Sequence, residues 1–178
     1  MKKITTLVIA LMTAVTTISA SNYKHSLGIV ANLGFGAQYK TMITDHFTIF
    51  EEFGYFTCPD GGTGFGYAGA INNLVLAYQA KGTEGQNIQL DWYVGGQMKT
   101  GYIPMGGAGG LIGFGATVGF EANMKNAPMA FSFDFRPGYA VGIGGANGTV
   151  WAAHMFDWTI NLGVRYTIPM AKAAAKKK

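Results

Sequence analysis

The chain has 178 residues, of which 49% are hydrophobic and only 12% charged, with 27 glycines and a formal net charge of +4. That length fits one domain, and the composition argues against a highly charged disordered chain and against a helical protein. The positive balance does not point to nucleic acid: taking Lys2, Lys3, Lys172, Lys176, Lys177 and Lys178 from the two ends turns +4 into −2 for the body between them.

Residues 1–20 have the three parts of a secretory signal peptide. Met1-Lys2-Lys3 is a basic start, 4–18 is a moderately apolar run, and Ser19-Ala20 is a small-residue cleavage site. An uncleaved anchor is the weaker reading, because the run is short and Thr-rich for a span of about 20 residues. No Cys follows the cleavage site, which argues against a lipid-anchored protein.

Residues 21–168 read as strands. From 26 to 40, Leu27, Ile29, Ala31, Leu33, Phe35, Ala37 and Tyr39 alternate with mostly small or polar residues. Thr44-Asp45-His46 is a turn and 47–57 the next strand. A Gly/Pro loop over 58–64, a strand over 67–80 and a polar turn over 81–87 follow. Residues 88–102 then alternate without a break, with Ile88, Leu90, Trp92, Val94, Met98 and Tyr102 on one face and Gln89, Asp91, Gln97 and Lys99 on the other. The period of two indicates a strand, and the length exceeds the usual 5–6 residues. Gly-rich loops are expected at 103–110 and 142–148, a strand over 111–123, and a tight turn at Lys125-Asn126-Ala127-Pro128. Phe131, Phe133 and Phe135 mark the next strand, and Phe156 to Ile168 the last. Residues 169–178 form a basic low-complexity tail, either a periplasmic extension or an addition to the natural chain.

A soluble barrel would turn its apolar face inward and a charged face to water. Here the polar face is mostly Gly, Ser, Thr, Asn and Gln, which suits a packed interior better than a solvated surface. The apolar face carries Tyr39, Tyr78, Trp92, Tyr102, Trp158 and Tyr166 near strand ends, as interfacial girdles do. The expected fold is therefore an all-β, antiparallel, transmembrane β-barrel. With both termini periplasmic, the strand number must be even. Splitting 25–43 at Gly34-Phe35-Gly36 brings the count to eight.

The ionisable residues on the polar face define a lumen charge network of four bases and four acids: Lys40, Lys99, Arg136 and Arg165 with Asp91, Glu121, Asp134 and Asp157. They are expected to fill and rigidify the barrel by pairing, with a narrow ion path as the alternative. Arg136 and Arg165 should each meet a carboxylate among those four. Adjacent Glu51 and Glu52 break the pattern, since one of them must face lipid unless a β-bulge turns both inward.

Nothing in the chain assembles a catalytic or metal site. His25, His46 and His154 lie on separate segments without ligand spacing. Cys58 is the only cysteine, so no intramolecular disulfide forms, and nothing near it would activate a thiolate. The glycines of 142–148 lack dinucleotide-binding spacing. No Ser sits at a rim position to act with His154, as a lipid-modifying barrel enzyme would require, so no catalytic, cofactor-binding or metal role is expected.

Gln38-Tyr39-Lys40, Trp92-Tyr93-Val94-Gly95-Gly96, Lys125-Asn126-Ala127-Pro128, Asp134-Phe135-Arg136-Pro137 and Arg165-Tyr166-Thr167-Ile168 together resemble small eight-stranded bacterial outer-membrane barrels of the opacity-protein and OmpA-transmembrane-domain type. The resemblance spans roughly 25–168. It implies short periplasmic turns, residence in the bacterial outer membrane and a structural, porin-like barrel without enzymatic activity. The implied partners are outer-membrane lipid or lipopolysaccharide and the barrel-assembly machinery during insertion. Such barrels usually end on an aromatic residue, whereas here Ile168 holds that place and ten residues follow.

Overall fold

The computed structural model describes residues 23–32, 34–60, 64–104, 108–146 and 149–169. Within these, only the backbone is described for 56–60, 64–68, 103, 104, 108, 143–146, 149–157 and 169. The signal peptide at 1–20, the tail beyond 169 and the side chains of Cys58, His154 and Asp157 thus lie outside the described residues.

Eight strands form in chain order: β1 (Tyr23–Ala31), β2 (Gly34–Met42), β3 (Phe47–Asp60), β4 (Gly64–Glu84), β5 (Ile88–Pro104), β6 (Ala108–Met124), β7 (Met129–Ala146) and β8 (Thr149–Pro169). Each pairs antiparallel with the next, and β8 pairs back onto β1 to close the barrel. Closure leaves no full-length free edge and satisfies the backbone groups between strands, as a spanning sheet requires. Among the described residues, no helix is long and apolar enough to cross a membrane.

The face assignment follows the alternation. Among the described residues, thirty large hydrophobic side chains are exposed, including Leu27, Ile29, Phe53, Leu76, Phe114, Phe120, Leu162 and Val164. The interior is polar, with Gln38, Lys40, Glu121, Arg136, Asn161 and Arg165 buried. This inversion of a soluble core is what lipid outside and side-chain packing inside demand. Phe47 packs edge-on against Tyr78, and Tyr78 lies 6.1 Å from Trp92, forming an outward aromatic band near the short turns. Tyr55, Tyr102, Tyr139 and Trp158 are exposed nearer the other end.

Three expectations need correction. The first hairpin turns between Ala31 and Gly34, not at Gly34-Phe35-Gly36. Asn32 N donates to Gly34 O and Asn32 Oδ1 accepts from Gly34 N, while Phe35 already pairs with Ala31 and is 74% exposed. The Gly-rich loops are shorter than expected. Strand β7 runs through Gly142, Gly144 and Gly145, because β8 supplies ladder partners at Ala153, Trp151 and Val150. Likewise β4 continues through Lys81 to Glu84 against β5, with a register shift between those two residues. Finally, no bulge separates Glu51 from Glu52. The β2–β3 register is continuous through Tyr39 opposite Glu51 and Gln38 opposite Glu52. Glu52 is buried inside and Glu51 exposed outside.

Candidate functional site

Among the described residues the lumen holds two ion clusters, each with an ion pair that spans strands that are not neighbours. The first centres on Glu121 of β6. Its Oε2 accepts from Lys40 Nζ of β2 at 2.6 Å and from Arg165 Nη2 of β8, and its Oε1 accepts from the Tyr23 hydroxyl at 2.5 Å. Lys40 also donates to Gln79 Oε1 at 2.6 Å, and Arg165 Nη1 to Ser132 Oγ at 3.1 Å. Lys40 Nζ lies 4.8 Å from the Phe50 ring centroid, so an aromatic face supplements its carboxylate. Phe50 in turn meets Tyr93 edge-on at 5.1 Å.

The second cluster centres on Arg136 of β7. Its guanidinium binds Glu52 of β3 bidentately, Nη1 to Oε2 at 2.6 Å and Nη2 to Oε1 at 2.7 Å. Its other edge binds Asp134, Nε to Oδ1 at 2.5 Å and Nη2 to Oδ2 at 3.1 Å. Such forked contacts are the strong form of a charge-assisted hydrogen bond. Tyr93 donates its hydroxyl to Asp134 at 2.7 Å, and Asn161 Nδ2 donates at 2.9 Å. Gln38 joins the clusters, since its Oε1 accepts from Arg165 and its Nε2 donates to Glu52. The first cluster holds two cations and one anion, the second one cation and two anions, so the linked pair is neutral.

Lys40, Glu121 and Arg136 are each 0% exposed and Arg165 is 1% exposed, so these groups are packed against their neighbours in the lumen. Toward the turn end an open cleft of about 470 Å³ is lined by Tyr23, Asn123, Lys125 and Thr167, among others. Because Tyr23 also donates to Glu121, the network begins at the wall of that cleft. On the other side a pocket of about 10 Å³ touches Glu52 and Asn73, room for at most one water.

The structure thus brings together Lys40, Glu121, Arg165, Asp134 and Arg136 from the sequence-derived set. Asp91 is buried but lies in salt-bridge range of no cation among the described residues. The side-chain amides of Gln79, Gln89 and Asn123 hydrogen-bond it instead, at 3.2, 2.8 and 2.8 Å. Lys99 is buried on the inner face, and the Asp157 side chain lies outside the described residues. Glu52 is the member the charge set lacked, although it is the bidentate partner of Arg136. The alternation left open which of Glu51 and Glu52 faces inward, and the partner of Glu52 sits across the lumen rather than on an adjacent strand. Tyr23, Gln38 and Tyr93 were likewise missed, because a hydrogen-bonding role has no sequence signal beyond an inward position.

The remaining candidates do not converge. Ser132 faces inward and is held by Arg165. His25 faces outward against Tyr39 and Thr41, and His46 stacks on Tyr78 near the turns. Among the described residues no group of His, Cys, Asp and Glu could hold a metal ion.

No protein-family model matches the chain, and no curated protein matches it. Among solved structures the chain is similar to Neisserial surface protein A, an eight-stranded outer-membrane barrel. The likeness covers 81% of this chain and 93% of that one, at 12% identity and a TM-score of 0.39. A likeness that distant adds nothing to the strand pairing, on which the fold rests by itself.

Proposed function

We propose that the chain is a structural barrel of the bacterial outer membrane, closed to ions and without catalytic activity. The observation that carries this reading is the ion network. Lys40 and Arg165 on Glu121, and Arg136 on Glu52 and Asp134, occupy the lumen with buried charges in direct ion pairs. A conducting path needs mobile water beside such groups, whereas these are buried and already paired. The exposed apolar belt between two outward aromatic bands supports a place in a bilayer. Outer-membrane lipid then becomes the solvent of the outer face, and the assembly machinery its partner during insertion.

Two measurements test the reading. Purified barrel in a planar bilayer should give no conductance steps above leak, and discrete steps would replace the closed barrel with a narrow pore. Lipid A from cells with and without the chain should have the same mass spectrum, and a mass change that follows expression would make the barrel an enzyme. The membrane assignment itself predicts slower migration on SDS gels after boiling, and a soluble cell fraction without that shift would refute it.

A further inference from the structure

Among the described residues, the apolar belt of the outward face is interrupted by a polar patch on β3 to β5. Glu51 on β3 is exposed toward the outside, four residues from Phe47 of one aromatic band and four from Tyr55 toward the other. At about 3.3 Å per residue and a tilt near 40°, each interval is about 10 Å along the barrel axis. Glu51 therefore lies near the middle of the apolar belt, too deep for lipid headgroups or bulk water to reach it. Asn72 on β4 faces the same way, diagonal to Glu51 across the pairs Glu51–Leu74 and Phe53–Asn72. Thr100 on β5 pairs with Asn72 and is exposed too. Neither the Glu51 carboxyl nor the Asn72 carboxamide has a hydrogen-bond or ionic partner among the described residues.

An ionisable group turned to hydrocarbon is costly and calls for a partner. We propose that the β3–β5 face is a dimer interface within the membrane, occupied by a second copy of this chain. The argument for a copy is self-complementarity. A carboxyl accepts and a carboxamide N–H donates, and one barrel displays both groups side by side. A two-fold axis between Glu51 and Asn72 sets each Glu51 against Asn72 of the other copy, so one pairing is made twice. Among the described residues, no Lys or Arg faces outward within this belt to serve instead. Polar side chains across a membrane interface join packed segments in this way, with apolar contact around them.

The inference rests on the membrane reading, and its test separates the two. The mature chain is refolded into phosphatidylcholine and phosphatidylglycerol vesicles at several lipid ratios, and dimer fraction is read by energy transfer between labelled copies. Glu51→Leu and Asn72→Leu should each weaken the dimer at least roughly tenfold, whereas Glu51→Gln, which keeps an acceptor, should not. Because neither side chain has a partner among the described residues, both variants should keep the heat-modifiable mobility of the folded barrel, which reports the membrane fold independently of dimerisation. In a Cys58→Ser background, Leu74→Cys should cross-link between copies and Leu162→Cys, on the β8 wall, should not. A wild-type chain that stays monomeric at the highest density overturns the proposal and leaves the face to lipid or to a different protein. An unchanged dimer in Glu51→Leu, or equal cross-linking from the two walls, overturns it as well.

Discussion

Replacing Arg136 by Met keeps most of the side-chain volume and removes the only cation of the second cluster. Four hydrogen bonds to two carboxylates disappear together. Glu52 would retain Gln38 and Asn73, and Asp134 would retain Tyr93 and Asn161. Neutral donors satisfy lone pairs but do not neutralise two buried negative charges. Breaking a buried pair from one side costs on the order of 3–5 kcal/mol, and here one substitution orphans two acids. With a urea slope of about 1–3 kcal/mol per molar, the unfolding midpoint should fall by more than about 1 M. Unfolding in detergent micelles, followed by Trp fluorescence and checked by gel mobility, measures this shift. Adding Glu52→Gln and Asp134→Asn to Arg136→Met should recover much of the loss, because the remaining groups are then neutral and still hydrogen-bonded. Val164→Ala on the outward face is the control. An Arg136→Met midpoint matching that control, or no recovery in the triple variant, would mean that the lumen is wet and the network screened.

Gly119→Ala should destabilise by about 1–3 kcal/mol in the same assay, since a Cβ there would stand 2.7 Å from both Phe133 O and Tyr93 Cζ. Gly96→Ala should be close to neutral, because the nearest atom to its Cβ is Gly115 O at 3.8 Å. At the turns, Glu84 receives Lys125 Nζ and Lys81 Nζ, each at 2.5 Å, and their hydrogen bonds and charges hold its carboxyl down at about 2 against an ordinary 4.5. A depressed folded-state value means that its contribution is complete above about pH 4.5 and is lost as pH falls toward 2. The difference in unfolding midpoint between wild type and Glu84→Gln should shrink over that window and should be small and salt-sensitive, as for any exposed pair.

The faces were legible in the sequence and the boundaries less so, for a reason that lies in the register. Strand β1 pairs Ala31 with Phe35 and Leu27 with Tyr39, odd with odd, so the alternation passes through the turn undisturbed and hides it. Between β3 and β4 the register pairs Phe47 with Tyr78, the phase changes, and the break shows in the pattern. Strand ends were underestimated wherever Gly clustered, because local propensity is blind to an antiparallel neighbour that completes the ladder. A bulge at Glu51 was expected from the cost of a carboxylate in lipid, a local argument that the continuous β2–β3 register overrides. Within the lumen, composition identified most of the charged residues but not their pairing. Adjacent-strand reasoning cannot find Arg136 with Glu52, or Lys40 with Glu121. In a barrel this narrow, long side chains reach strands that are remote around the wall.

Alternation carries a degeneracy of its own: sliding a strand by two residues leaves each side chain on its original face. Hydrophobic matching therefore tolerates a family of misaligned barrels, each apolar outside and polar within. The lumen contacts do not tolerate them. A two-residue slip of β2 would carry Lys40 away from Glu121 and Gln38 away from both Arg165 and Glu52. Across the closing seam, Asn32 Nδ2 donates to Asn161 Oδ1 at 3.0 Å, and Arg165 of β8 reaches Gln38 of β2 over β1. These bonds form only when the first and last strands meet in a single alignment, so the buried charges act as a key cut for one closed ring among many near-copies.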